Sequence, residues 1–369
     1  MLTFSAPCIF GLEGLCANEL RFLGMKNVRA ENGRVLFDGD FYTLAKANIQ
    51  SRYAERIQIL MGEFTALSFD ELFEGVKALE WERFIGMSDA FPVIGRCLGS
   101  KLSSVPDCQK IVKKAVVTRL SQRYMLPWFE ETGPVHRIQF LIMKDKVSVM
   151  LDTSGAGLHK RGYRAQSNEA PIKETLAAAM AELSGVRSHH FVTDPMCGSG
   201  TILIESAMKA MKLAPGLNRS FAAERWSCVP EDSFTRAREE ARDMIQPECS
   251  FTAQGFDIDP SALEVAQKNA ELAGVGDKIT FEQRDIRDFT LSEGYQTVIT
   301  NPPYGERLLD IRAAEELYKV MGERFERQKG KRYTVITPDD DFEKLFGRKA
   351  DKRRKTYNGT LKCQIYIFN

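Results

Sequence analysis

Phe191-Val192-Thr193-Asp194-Pro195-Met196-Cys197-Gly198-Ser199-Gly200-Thr201 decides the fold. A short strand-forming run ends in an acid, two glycines follow, and Ile202-Leu203-Ile204 with Ala207 then takes up helical spacing. The reading is strand, glycine turn, helix. Gly198 and Gly200 let backbone approach a ligand with no Cβ in the way, and the helix start beyond them offers N–H groups without intrahelical partners. The segment opens on an acid, where a dinucleotide fingerprint would open on spaced glycines. An amine-bearing ligand therefore suits Asp194, Pro195, Gly198, Gly200 and Thr201 better than a pyrophosphate. Cys197 reads as a small apolar filler of the turn.

Three further segments repeat the pattern of a strand that ends in chemistry. Residues 251–255 read as a strand running into Phe256-Asp257-Ile258-Asp259-Pro260, with a helix over 261–273. Asp257, with Ile258 beside it, is placed to accept from ribose hydroxyls, as acids at strand ends do in open α/β sheets. Asp259 before Pro260 reads as a helix cap. After a short strand over 278–281 comes Asp285, which could accept from an adenine amino group, whereas Asp288 reads as solvated.

Last, the apolar run Gln296-Thr297-Val298-Ile299-Thr300 leads into Asn301-Pro302-Pro303-Tyr304. The Asn301 amide oxygen and a proline carbonyl are both acceptors. Together they can hold both N–H bonds of a planar exocyclic amine, whose lone pair is otherwise delocalised into its ring. The two prolines stiffen the loop, and Tyr304 can stack on the base.

In this order, glycine turn, ribose acid, adenine acid and Asn-Pro-Pro-Tyr, the chain resembles the class I S-adenosylmethionine-dependent methyltransferases that act on amino groups. It is more closely similar to the THUMP-domain RNA methyltransferases that make N2-methylguanosine in ribosomal or transfer RNA. The closer resemblance is carried by Leu158-His159-Lys160-Arg161-Gly162-Tyr163-Arg164, by Ala170-Pro171-Ile172-Lys173-Glu174, by Asn301 to Arg307, and by Lys355-Thr356-Tyr357-Asn358-Gly359. It implies an α/β protein: a Rossmann-like domain with a seven-stranded, mostly parallel sheet, preceded by an α+β ferredoxin-like and THUMP region. The expected divisions are residues 1–62, 63–155 and 156–369. The implied cofactor is S-adenosylmethionine, and the implied partner is RNA, ribosomal before transfer. One departure stands out. Residues 209–249, with Trp226 and a charged helical run over 231–244, intervene before the second strand and read as an inserted helical element that leaves the nucleotide site intact.

Composition bounds the rest. With 369 residues, two or three domains are expected. A net charge of +1 means that any nucleic-acid contact comes from a local basic patch. Eight scattered cysteines, without the close pairs of a structural zinc site, point to reduced thiols in a cytoplasmic protein that calls for no metal. No stretch has the length of a membrane span, and Met1 does not open a signal peptide. The sequence does not set the oligomeric state.

The N-terminal half reads as a strand over 3–10, a helix over 12–23, a strand over 34–37, a helix over 41–48 and a strand starting at Arg56. A helix over 68–81, a strand over 93–98, a helix over 107–124 and a hairpin over 135–152 follow. Lys113 and Lys114, with Lys101, Lys110, Arg119 and Arg123, cluster on or near the fourth helix as candidate phosphate contacts. Lys160, Arg161, Tyr163 and Arg164, at the junction of the halves, are candidates to grip a phosphate and stack a base. Lys352-Arg353-Arg354-Lys355 reads as a basic loop between the last two strands, over 332–337 and 362–368.

The expected reaction is in-line methyl transfer to guanine N2 in 23S ribosomal RNA, with Asn301, Pro302, Pro303 and Tyr304 holding a flipped base. The alternatives are a transfer RNA target, an adenine-N6 methyltransferase on DNA, and a non-catalytic RNA-binding assembly factor.

Overall fold

The computed structural model describes residues 1–164, 172–304 and 311–369. Ala170, Pro171, Gly305, Glu306 and Arg307, quoted above for the resemblance, lie outside the described residues.

The N-terminal half opens with β1 (Leu2–Pro7), α1 (Glu13–Phe22), β2 (Lys26–Glu31), β3 (Arg34–Gly39), α2 (Phe41–Gln50) and β4 (Gln58–Thr65). It continues with α3 (Phe69–Lys77), β5 (Val93–Leu98), α4 (Val105–Tyr124), β6 (Arg137–Met143) and β7 (Lys146–Asp152). Local signals set most ends. Asp40 caps α2 in a reciprocal pair with Thr43, and the Ser68 hydroxyl accepts from Glu71 N–H at the start of α3. Lys144 and Asp145 both take positive φ, 51° and 65°, in the two-residue turn between β6 and β7.

All seven strands form one sheet in the order β2-β3-β1-β4-β7-β6-β5. β4 pairs with β1 through Gln58 and Ile59 and with β7 along its length, so the division expected between residues 62 and 63 falls inside one strand. β2 was not anticipated. Only Val28 on it is even half-buried among exposed neighbours, so the strand carries no apolar alternation to reveal it.

The C-terminal half runs α5 (Glu174–Leu183), β8 (Phe191–Asp194), α6 (Thr201–Ala210), α7 (Asp232–Asp243), β9 (Thr252–Asp257), α8 (Pro260–Leu272) and β10 (Ile279–Gln283). After these come β11 (Gln296–Thr300), α9 (Ile311–Arg324), β12 (Lys331–Thr337), α10 (Phe342–Leu345), β13 (Lys352–Asn358) and β14 (Leu361–Phe368). The sheet order is β10-β9-β8-β11-β12-β14-β13. The first five are parallel neighbours, while β14 and β13 run antiparallel. Residues 352–355 are therefore not a loop, as expected, but the start of the edge strand β13. Four consecutive cations hide a strand from any periodicity, and cations are what edge strands ordinarily carry.

The inserted segment keeps clear of the sheet. β9 still pairs with β8, with Asp194 level with Gly255. α7 lies instead on α2, tied by Lys46 to Glu240 at 2.6 Å. Trp226, 2% exposed, donates its indole N–H to Val135 O and stacks on His136 at 4.2 Å. The insert thus clasps the two N-terminal units.

Glu55 pins the halves together. Its carboxylate meets Lys173 Nζ at 3.0 Å, Thr175 Oγ1 and His159 Nδ1 at 3.4 Å. Burial raises its pKa, but His159, Thr175 and Lys173 outweigh burial and hold it at about 2. A depressed carboxylate stabilises the fold above its ordinary value, and the contribution is lost as pH falls towards 2. Glu55→Gln is expected to cost on the order of 2 kcal/mol at pH 7. Urea melts at pH 7 and pH 3 check this, since an equal deficit at both would remove the ionic cause.

Candidate active site

The order of the second sheet reverses between β8 and β11. From β8 the chain builds outward through β9 and β10, then returns to the other side of β8 with β11 and β12. Ligands of open α/β sheets bind at the carboxyl ends of strands at such a switch point. Asp194 ends β8, Asp257 ends β9, Asp285 lies two residues past β10, and Asn301 directly follows β11. Parallel pairing aligns these ends: Asp194 is level with Gly255, Asp257 with Gln283, and Val298 with Thr193. The four expected chemical groups therefore share one edge of the sheet.

The turn after β8 is shaped by its glycines. Gly198 and Gly200 take φ of 50° and 76°. A Cβ on Gly198 would meet open space, whereas one on Gly200 would lie 3.1 Å from Ala266 Cβ and 3.2 Å from the Phe281 ring. Gly198 therefore leaves room above the turn, and Gly200 permits close helix packing beneath it. Pro195 is buried, and Thr201 opens α6 with its hydroxyl accepting from Arg164 Nη2 at 2.9 Å. Cys197 is buried, with its N–H donating to Phe256 O, and burial pushes its thiol well up. It fills the turn.

Asp194 is 1% exposed. Burial lifts its pKa to about 7, helped by nearby Asp257 and opposed by the Thr300 hydroxyl and the Met196 N–H. Such a carboxyl gains by meeting a cation. Asp257 is half-buried and already accepts from Gly198 N–H at 2.9 Å and Asp259 N–H at 3.0 Å, so the turn and the second strand are locked to each other. Ile258 beside it is 66% exposed, an apolar side chain left at the rim. Asp259 caps α8 through Ser261 N–H, as the sequence implied. Asp285 accepts from Arg287 N–H and pairs with the Arg287 guanidinium, both at 2.8 Å, so a ligand amine there competes with an exposed ion pair.

On the other side of the switch point, Asn301 Oδ1 is buried and accepts no hydrogen bond from the described residues. An unpaired buried amide oxygen costs about 1–3 kcal/mol and marks an acceptor that awaits a donor. Pro302 is buried and Pro303 half-buried. Tyr304 is held through its hydroxyl, which accepts from Asn358 Nδ2 at 2.8 Å and lies 4.0 Å from Cys363 Sγ. Asn358 closes the β13–β14 turn, where Gly359 has φ of 63°. The positioning role of Asn358 was not read from the sequence. An asparagine-glycine pair between two strands was the available signal.

The expected basic contacts fare unevenly. Arg161 is 4% exposed, spans Arg52 O and Leu158 O at 2.6 Å each, and faces Glu205 at 3.4 Å. Tyr163, 4% exposed, donates to the same Glu205 at 3.0 Å, and Arg164 donates to Ile172 O and Thr201 Oγ1. Contrary to expectation, these three side chains are spent on the junction and the glycine turn. Lys113 is likewise committed, to Glu131 at 2.5 Å and Phe91 O at 3.0 Å. Lys114 and Lys160 are exposed.

A class I α/β sheet with an acid-and-glycine turn, an acid at the end of the next strand and a buried acceptor loop at its switch point defines an S-adenosylmethionine-dependent methyltransferase. The comparisons with known proteins agree. A family model described as an RMKL-like methyltransferase domain matches residues 161–367, a RlmL ferredoxin-like domain matches 3–58, and a THUMP domain matches 66–152. The chain is 42% identical to a putative RNA methyltransferase, YpsC, of Bacillus subtilis, over 99% of this chain and 95% of that protein. It is 34% identical to a ribosomal RNA large subunit methyltransferase K/L of Syntrophotalea carbinolica, spanning all of this chain but 53% of that relative. Among solved structures, SMU.472, a putative methyltransferase complexed with SAH, superposes with a TM-score of 0.93 at 44% identity, over 100% of this chain and 97% of that one. A predicted N6-adenine-specific DNA methylase from Listeria monocytogenes gives 0.93 at 43%, over 100% and 96%. The chain belongs to the RMKL-like methyltransferase family, with RlmL-type ferredoxin-like and THUMP domains ahead of the catalytic one.

S-adenosylmethionine supplies an electrophilic methyl group on a sulfonium. The residues present fit it: a buried carboxyl poised for an ammonium group at Asp194, open space above Gly198, and the acceptor Asp257 at the next strand end. No helix among the described residues is long and apolar enough to cross a membrane.

Proposed function

We propose that this protein transfers a methyl group to the exocyclic N2 of a guanosine in RNA, with ribosomal RNA as the favoured substrate and the cytoplasm as the place of action. The buried Asn301 Oδ1 carries the reading, because it offers an acceptor to an amino group and nothing among the described residues consumes it. With the Pro302 carbonyl it would hold both N–H bonds and turn the nitrogen lone pair towards the methyl. Asp194, Pro195, Gly198, Gly200 and Thr201 would hold the amino-acid end of the cofactor, Asp257 its ribose, and Asp285 and Ile258 its adenine. Tyr304, held by Asn358, would form one wall of the base pocket. Catalysis is then positioning; the product's proton is acidic enough to leave to water. The THUMP region and the RNA methyltransferase names of relatives support an RNA substrate, and the K/L relatives support ribosomal RNA.

A second reading, adenine N6 on DNA, draws on the likeness to the Listeria protein, a predicted N6-adenine-specific DNA methylase, and on the Asn301 loop, which suits either amine. Purified protein, labelled S-adenosylmethionine and total RNA from a strain lacking the gene distinguish them. Label in N2-methylguanosine after digestion to nucleosides is the expected result. Label in N6-methyladenosine changes the base, and label only in matched DNA moves the substrate.

A further inference from the structure

Two aromatic side chains stand in solvent where no packing calls for them. Phe10, in the loop after β1, is 52% exposed, and Tyr357, on the edge strand β13, is 39% exposed. Their rings meet edge to face at 6.1 Å and 76°, across the boundary between the N-terminal unit and the catalytic domain.

The step is rigid. The Glu13 carboxylate accepts from Gly11 N–H at 2.9 Å and from Gly33 N–H at 3.0 Å, tying down the loop that carries Phe10. Arg354 Nη1 donates to Gly11 O at 2.9 Å. Gly11 itself has φ of +87°, and a Cβ there would lie 2.1 Å from Lys355 O, so only glycine lets the loop press on β13. Little conformational entropy would be lost when a flat ligand stacks here.

Charge surrounds it. In the β13–β14 register Tyr357 lies opposite Lys362 and Lys355 opposite Gln364. Residues two apart on a strand share a face with their cross-strand partners. Tyr357, Lys355 and Lys362 therefore lie on one face, and both lysines are exposed. Arg353, on that face too, is held by Glu343. Lysines alone would read as the ordinary guard of an edge strand; the rigid aromatic pair is no such guard. The next residue, Asn358, projects from the opposite face of β13 and donates to Tyr304 of the Asn301 loop, so the patch lies one residue along the strand from the active-site loop.

We propose that Phe10, Tyr357, Lys355 and Lys362 form a docking surface for the single-stranded RNA next to the methylated nucleotide. One flanking base stacks on the aromatic step, and adjacent phosphates lie on the two lysines. The ferredoxin-like unit then contributes directly to substrate binding, through a loop that reaches the catalytic domain. This rests on the RNA reading above.

The test is the KM for deproteinised RNA from a strain lacking the gene, measured by methyl incorporation, beside the affinity for S-adenosylhomocysteine. Phe10→Ala and Tyr357→Ala are each expected to raise the KM for RNA about tenfold with the affinity for S-adenosylhomocysteine unchanged. Tyr357→Phe is expected to restore it, and Tyr357→Leu, which keeps bulk without a ring, is not. Lys355→Gln and Lys362→Gln are each expected to lower the salt slope by about 0.7. If the wild type methylates RNA and the aromatic variants keep its KM, the docking surface is wrong and the functional reading stands. If the wild type methylates no RNA, the functional reading fails and the surface falls with it.

Discussion

Asn301→Ala is expected to abolish methyl transfer, lowering kcat by about a thousandfold or more while the affinity for S-adenosylhomocysteine stays within about twofold of wild type. The side chain lies past the end of β11, and its Oδ1 has no partner to lose among the described residues. Removing it therefore takes away an interaction made only with the substrate amine. For the same reason Asn301→Ala should fold at least as well as wild type, since a buried unsatisfied acceptor is eliminated. Asn301→Asp is the informative companion. It keeps an acceptor but adds a negative charge one residue past Thr300, whose hydroxyl reaches Asp194, so kcat should remain depressed and fall further as pH rises. Single-turnover rates with saturating cofactor measure both. An Asn301→Ala protein that retained more than a tenth of the wild-type rate would remove the acceptor role.

The second large effect belongs to Asp194, whose pKa burial lifts to about 7. Only the ionised carboxylate attracts an ammonium group. Affinity for S-adenosylhomocysteine is therefore expected to rise with pH, being about tenfold weaker at pH 6 than at pH 8. Asp194→Asn should weaken binding by about 10- to 100-fold at pH 8 and flatten the profile. Stability moves the other way. A carboxyl raised above its ordinary 3.8 favours the fold below that value, and the contribution is lost as pH rises through about 7. Free Asp194→Asn protein is thus expected to be as stable as wild type, or more so, at pH 8, which separates lost binding from lost folding. Calorimetric titration at pH 6, 7 and 8 decides it: a flat wild-type profile would show that Asp194 does not face the cofactor's charge.

The strand-end placement of the candidate residues is legible in the sequence. The glycine turn, Asp257, Asp285 and the Asn-Pro-Pro-Tyr loop were each placed at strand ends, and the structure brings those four ends to one edge. They were readable because their signals are local: φ above zero at Gly198 and Gly200, a proline pair that stops a strand, an acid after an apolar run. Strand character around residues 93–98 and the apolar run 296–300 coincide with β5 and β11. What was missed lacked local contrast. β2 and β13 are solvent-facing strands without apolar alternation.

The sequence by itself determined the class of fold, the order of its chemical groups and the cofactor they suit, because those depend on residue types within about ten positions of one another. Tertiary structure alone decided which polar side chains are free to act. Lys113 is taken by Glu131, Tyr163 by Glu205, and Arg164 by Thr201. Asn358 reaches Tyr304 from 54 residues away, and Arg354 reaches Gly11 from 343. Burial and ion pairing are relations between distant parts of the chain, so a residue's type announces what it can bind, and only the packed neighbours reveal what it already holds.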